Sequence, residues 1–169
     1  QALRVDRRVE QSGGFFQGDA IIEHESPYAD LVGGPGKTLN VGGSLTLIAH
    51  DANGALQIDA PVNIGTTGYG NLTKQGPGTV ILGGEAADLI TVNGGASTTI
   101  DQGVLQFNAP FNSNASYSGA IDIKPGATLR FGTNNPLRAD QAINHPAGAT
   151  IDLNGFTWTR TSGTFTLGN

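Results

Sequence analysis

A glycine-led turn followed at once by a short alternating strand returns about every 22 to 25 residues along this chain. The clearest copies read IKPGATLRFG, from Ile123 to Gly132, and NHPAGATIDLNG, from Asn144 to Gly155. Upstream, Gly54 leads GALQI, Gly78 leads GTVIL and Gly103 leads GVLQF. Taken with Gly126 and Gly148, these glycines are spaced by 24, 25, 23 and 22 residues. A near-constant period of this length is the mark of stacked repeats, each burying its apolar face only against its neighbours. Such stacks work as shafts or extended surfaces more readily than as pockets.

The runs between the turns carry period-two alternation: SLTLIAH, ALQIDAPVNI, GTVILGG, GVLQFNA, AIDIKPG and ATLRFG are examples. That is the periodicity of strands with one buried face. No window offers apolar residues at helical spacing. Pro61, Pro77, Pro110, Pro125, Pro136 and Pro146 all fall between the runs, where a missing N–H harms no ladder. A β-sandwich also has short strands, but it does not repeat one phrase at one spacing. A parallel coil of two or three strands needs 20 to 25 residues or so per turn. The expected fold is therefore all-β, a parallel β-helix (β-solenoid) of five to six rungs, roughly 25 to 30 Å tall at about 4.8 Å per rung.

Residues 1–30 do not match the repeat and are expected to form an atypical N-terminal arm and cap, with 31–169 as the repeats. In the first ten residues Leu3, Val5 and Val9 share one parity, and Arg4, Asp6, Arg8 and Glu10 the other, with Arg7 breaking the pattern. The next stretch is acidic, carrying Asp19, Glu23, Glu25 and Asp30 and no Lys or Arg.

Glycine makes up 26 of 169 residues and charged residues only 14%, yet the glycines punctuate Val, Ile, Leu and Thr runs, which argues against disorder. A net charge of −5 argues against a nucleic-acid partner. With no cysteine there are no disulfides, thiolate metal sites or cysteine nucleophile. No apolar run is long enough to span a membrane as a helix. The start at Gln1 and the lack of Met suggest a processed product.

Asn71 to Gly84, NLTKQGPGTVILGG, and Ser97 to Asn108, STTIDQGVLQFN, resemble the autotransporter-associated β-strand repeat. The likeness lies in the Leu-Thr-Lys phrase, the Gly-x-Gly-Thr strand start, the Gly after the strand and the closing Thr-Ile-x-x-Gly-x-Leu-Gln. The later GATLRFG and GATIDLNGF are similar to phrases that follow such repeats, and residues 1–30 are not covered. The resemblance implies a right-handed parallel β-helix outside a bacterial cell, secreted or at its surface, and little chemistry. The chain departs from the family's Asn-Thr-Tyr-Thr-Gly phrase at Glu85 to Asn93, and carries no translocator barrel.

No constellation compels chemistry, and neither an enzyme nor a cofactor is expected. His24 lies between Glu23 and Glu25, but adjacent strand residues point to opposite faces, so the three cannot share one side; a solvated edge is the expectation. Asp101, Asp122 and Asp152 stand at different phases from their glycines and read as solvated face charges. Lys74, Lys124 and Arg130 read as turn or face charges, and His145 before Pro146 as a spacer. VGGPGK, Val32 to Lys37, lacks the phosphate-loop spacing. Asn71-Leu-Thr and Asn114-Ala-Ser match the glycosylation sequon by pattern only. Phe107, Phe131 and Phe165 read as stacked packing, and Phe156 with Trp158 as a cap or a contact surface.

The expected role is that of a structural subunit that polymerises head to tail with copies of itself. Its open strand edges would take up a neighbour's N-terminal strand. Leu3, Val5 and Val9 would anchor that strand. Arg4, Arg7 and Arg8 would face Asp19, Glu23, Glu25 and Asp30 of the next copy, and such a non-closing contact gives a filament. The alternatives are a module that binds or processes a surface glycan, and a spacer from a longer passenger.

Overall fold

The computed structural model describes residues 2–4, 9–11, 14–25, 28–33, 37–83, 90–93, 97–112, 119–162 and 165–167, and among these it contains strands and no helix. The chain winds through three parallel sheets in turn. The first coil has β1 (Ala2–Arg4), β2 (Val9–Gln11) and β3 (Gly14–Phe16); the second has β4 (Ala20–His24), β5 (Tyr28–Gly33) and β6 (Leu39–Val41). The third has β7 (Leu45–Ala49), β8 (Ala55–Asp59) and β9 (Val62–Ile64); the fourth has β10 (Leu72–Gln75), β11 (Thr79–Leu82) and β12 (Ile90–Val92). The fifth has β13 (Thr98–Ile100), β14 (Val104–Phe107) and β15 (Phe111–Asn112). Two-strand coils follow, β16 (Ile121–Ile123) with β17 (Thr128–Phe131) and β18 (Ile143–His145) with β19 (Thr150–Asp152), and then β20 (Phe165–Leu167).

Among the described residues the strands pair in parallel with their counterparts one coil before and after, giving sheets of eight (A), seven (B) and five (C) strands. The expected parallel β-solenoid is thus the fold. Sheets A and B are longer than five to six rungs because the first thirty residues join them. That segment, expected as arm and cap, stands at the end of the stack but supplies β1 to β4 and the start of β5.

The alternation seen in the sequence sets which side chains enter the coil. In sheet A, Ala20, Leu45, Leu72, Thr98, Ile121 and Ile143 form one inward column in strict register. In sheet B, Ile58, Leu82, Phe107 and Phe131 form another, which places the two phenylalanines inside as stacked packing. Each fully buried Leu, Ile or Val contributes about 1.5–3 kcal/mol, and its register partners in the coils above and below continue the column.

The glycines of the repeating phrase all lie at the corner from sheet A to sheet B. Gly54, Gly78 and Gly103 immediately precede β8, β11 and β14, and Gly126 and Gly148 come two residues before β17 and β19. At Gly103, φ is +65°, and a Cβ there would collide with the carbonyl oxygens of Gly76 and Gly78 in the coil below. Close stacking of successive corners and a left-handed backbone both demand glycine at that position.

At the corner from sheet C to sheet A a polar ladder climbs the stack. Asp19 Oδ1 accepts the Ser44 N–H at 2.8 Å, Ser44 Oγ accepts the Asn71 N–H at 3.1 Å, and Asn71 Oδ1 accepts the Ser97 N–H at 3.0 Å. Each side chain therefore satisfies a backbone donor of the next coil.

Candidate functional site

A parallel stack has its free hydrogen-bonding groups at its two ends, so the ends are the first candidate. Among the described residues the outermost strands are β1, β2 and β3 at one end and β20, β19 and β15 at the other. Sheet A therefore has an edge strand at each end, running in the same direction.

The residues expected to mediate assembly divide between these ends. Leu3 and Arg4 lie on β1, with Leu3 partly buried against the core, and Val9 lies on β2. Val5, Arg7 and Arg8 lie outside the described residues. The acidic residues belong to the adjoining coil. Asp19 is the first rung of the polar ladder, Glu23 lies on β4, Glu25 follows it exposed, and Asp30 lies on β5 in register with Gln57. Arg4 stands in register with Glu23 of its own chain. The arm and the acidic stretch thus share one end, and the expected contact between this pair of segments in successive head-to-tail copies does not follow from the geometry.

Phe156 and Trp158 belong to the other end. Here the returns from sheet B to sheet A, residues 132–142 and 153–162, contain no strand. They are zipped together instead. Asn134 Oδ1 accepts the Thr157 N–H at 3.0 Å, and Asn135 Oδ1 accepts the Thr159 N–H at 2.7 Å. Trp158 meets Phe131 edge-on with centroids 5.9 Å apart, donates Nε1–H to the Arg138 carbonyl at 3.3 Å and carries the Arg160 guanidinium 4.5 Å above its ring. Phe156 also packs on the core. The pair closes the side of the stack that sheet C leaves after β15.

The corner from sheet A to sheet B holds the second candidate. Lys74, expected as a turn or face charge, is instead fully buried. Its position on β10 has the inward parity of Leu72, in register with Leu47 below and Ile100 above. Its Nζ donates to the carbonyls of Gln75 at 2.8 Å, Gly76 at 2.7 Å and Gln102 at 3.0 Å, tying two successive corners together. Burial lowers its pKa from 10.5 to about 8.

Outside this staple runs a groove of about 510 Å³. Its walls are Gln75-Gly76-Pro77 of the fourth coil and Asp101-Gln102 of the fifth, with Ile48 and His50 below. His50 Nε2 lies 3.2 Å from Glu23 Oε2, and Gln75 Nε2 donates to Asp101 Oδ2 at 3.3 Å. Gln75, Gly76, Pro77 and Gln102 lie within the repeat phrases at 71–84 and 97–108, which mark a turn between strands but carry no sign of a groove.

His24 is a further correction, being fully buried on the inward parity of Ala20 and Ile22 rather than at a solvated edge. Glu23 is partly exposed and Glu25 exposed, so the three do not converge. Among the described residues no group of three or more His, Asp or Glu is placed to hold a metal ion. Asp101 stands at the corner, Asp122 on the outer face of sheet A beside Asn144, and Asp152 on the outer face of sheet B, 2.8 Å from Arg130 Nε. The Arg130 hydrogen bond, helped by the Asn154 N–H, lowers the Asp152 pKa. Among the described residues no helix is long and apolar enough to cross a membrane. Asn114 and Gly34 to Gly36 lie outside the described residues.

No protein-family model, curated protein or solved structure matches this chain.

Proposed function

We propose that this protein is a structural β-solenoid subunit of the bacterial exterior that assembles head to tail with copies of itself. The observation that supports this reading is the pair of sheet A edges. β1 and β20 are outermost strands of one parallel sheet, so a translated copy can set its β1 beside β20 and extend the ladder without changing direction. An uncovered strand edge invites such addition. Because the contact joins two different surfaces, it does not close and gives a filament.

Charge favours the same polarity. Residues 1–36 hold six acids against three arginines, whereas residues 120–169 hold four bases against three acids. An end richer in acid then meets an end richer in base, and the N-terminal strand is the element inserted. The extracellular setting is supported by the likeness of 71–84 and 97–108 to the autotransporter-associated repeat. In the fold the first of these segments holds β10 and β11 and the second β13 and β14, each with its corner.

Electron microscopy of concentrated, purified chain tests the reading. Filaments are expected with an axial repeat near 38 Å, eight sheet layers at about 4.8 Å each. Removing residues 1–10 should abolish them while the circular dichroism of the remaining solenoid persists. Monodisperse monomers of the full chain, or filaments that survive the deletion, would falsify the proposal.

A further inference from the structure

We propose that the lateral groove at the corner between sheets A and B binds an uncharged oligosaccharide. This inference rests on the flank of the stack and is independent of what happens at its ends.

The groove follows the corner and takes polar side chains from three successive coils, His50 from the third, Gln75 from the fourth, and Asp101 and Gln102 from the fifth. Glu23, Ile48 and Gln75 are in register on β4, β7 and β10. Asp101 continues the column one coil further, its N–H donating to the Lys74 carbonyl at 2.9 Å. His50, two residues beyond Ile48, reaches back to Glu23. The spacing along the axis is therefore that of the coils, about 4.8 Å. A chain of hexoses laid along the corner presents hydroxyl groups at comparable intervals.

The chemistry of the groups fits hydroxyls better than ions. Asp101, the carboxylate of the lining, already has a donor beside it in Gln75, and Glu23 just outside is paired with His50, so the groove is not a bare acid cluster. The Gln75 amide spends one hydrogen on Asp101 and keeps a second donor and its carbonyl acceptor. Adjacent carboxylate and amide groups can take both the donor and the acceptor role of neighbouring sugar hydroxyls. Between them Ile48 and the exposed Pro77 supply an apolar patch for the C–H face of a ring. An anionic chain is disfavoured because the groove's lining presents a carboxylate, Asp101, and no Lys or Arg.

The walls are also held in place before any ligand arrives. The buried Lys74 ammonium grips the carbonyls of Gln75, Gly76 and Gln102, which belong to both walls. A fixed groove avoids the ordering cost that a loop site would incur.

Isothermal titration of the full chain tests the proposal. The probes are neutral tetraoses (cellotetraose, laminaritetraose, maltotetraose and mannotetraose), tetragalacturonate and tetralysine. At least one neutral tetraose should bind with a Kd of about 10 mM or tighter. Asp101→Asn and Gln75→Ala should each weaken it about tenfold without moving the melting temperature, since both side chains lie at the surface. Preference for tetralysine would identify a basic protein segment as the occupant and overturn the inference; preference for tetragalacturonate would overturn the neutral class. Failure of all probes, or binding insensitive to both substitutions, would sink it as well.

Discussion

Lys74 lies inside the stack with its ammonium held by three backbone carbonyls from two successive corners. As part of a Leu-Thr-Lys phrase before a Gly-Pro-Gly turn it has the look of a surface charge. Its parity with Leu72 is the signal that places it inward, and the same parity argument from Ala20 and Ile22 places His24. What the sequence does not show is the ring of three carbonyls that makes a buried ammonium tolerable, because one of them, that of Gln102, lies 28 residues along the chain. Lys74→Met leaves those carbonyls without their donor and should cost about 2–3 kcal/mol in urea unfolding at pH 7. The pH dependence adds a second readout. With a folded pKa near 8 against 10.5 unfolded, the native state gives up its proton first. Between those values the unfolded chain binds more protons, so this residue's contribution to stability rises from pH 8 to 10.5 and is flat beyond either limit. The Met variant should lack that rise, and parallel curves for the two proteins across this window would refute the assignment.

Among the elements, the strands were the most legible part of the sequence and the returns at the C-terminal end the least. Alternation names the inward column of nearly every strand, and the glycine phrase marks the corners between sheets A and B from Gly54 to Gly148. The loss of sheet C after β15 is not written in any periodicity. Residues 132–142 and 153–162 are held by Asn134, Asn135 and Trp158, whose partners lie 20 to 24 residues away, and such contacts have no local pattern. Trp158 was legible as a cap or contact surface, and its ring does join the two returns to Phe131. Trp158→Ala removes an edge-on aromatic contact, an indole hydrogen bond and the seat of Arg160. Since the ring is only partly buried, the expected loss is about 2–3 kcal/mol, at or below the ~3–5 kcal/mol of a core aromatic. Circular dichroism must follow the melt, because this is the chain's one tryptophan. A shift within about 0.5 kcal/mol of wild type, the range of an ordinary surface substitution, would mean that the returns hold without it.

For the whole molecule, a stack in which each coil touches only its neighbours has a stability that varies along its axis. An inner coil buries its apolar column on two sides, and an end coil on one, so opening should cost least at the ends. Hydrogen exchange on dilute monomer should therefore find β8, β11 and β14 the slowest, with protection falling toward β1 and β20. The same measurement bears on assembly. If β1 of one copy continues sheet A beyond β20 of another, both strands gain a second neighbour in concentrated samples. Exchange should then slow at Ala2–Arg4 and Phe165–Leu167 while the central strands stay as they were. Slowing spread along the flank of the coils would point to lateral bundling instead, and the open edges of sheet A would lose their assigned role.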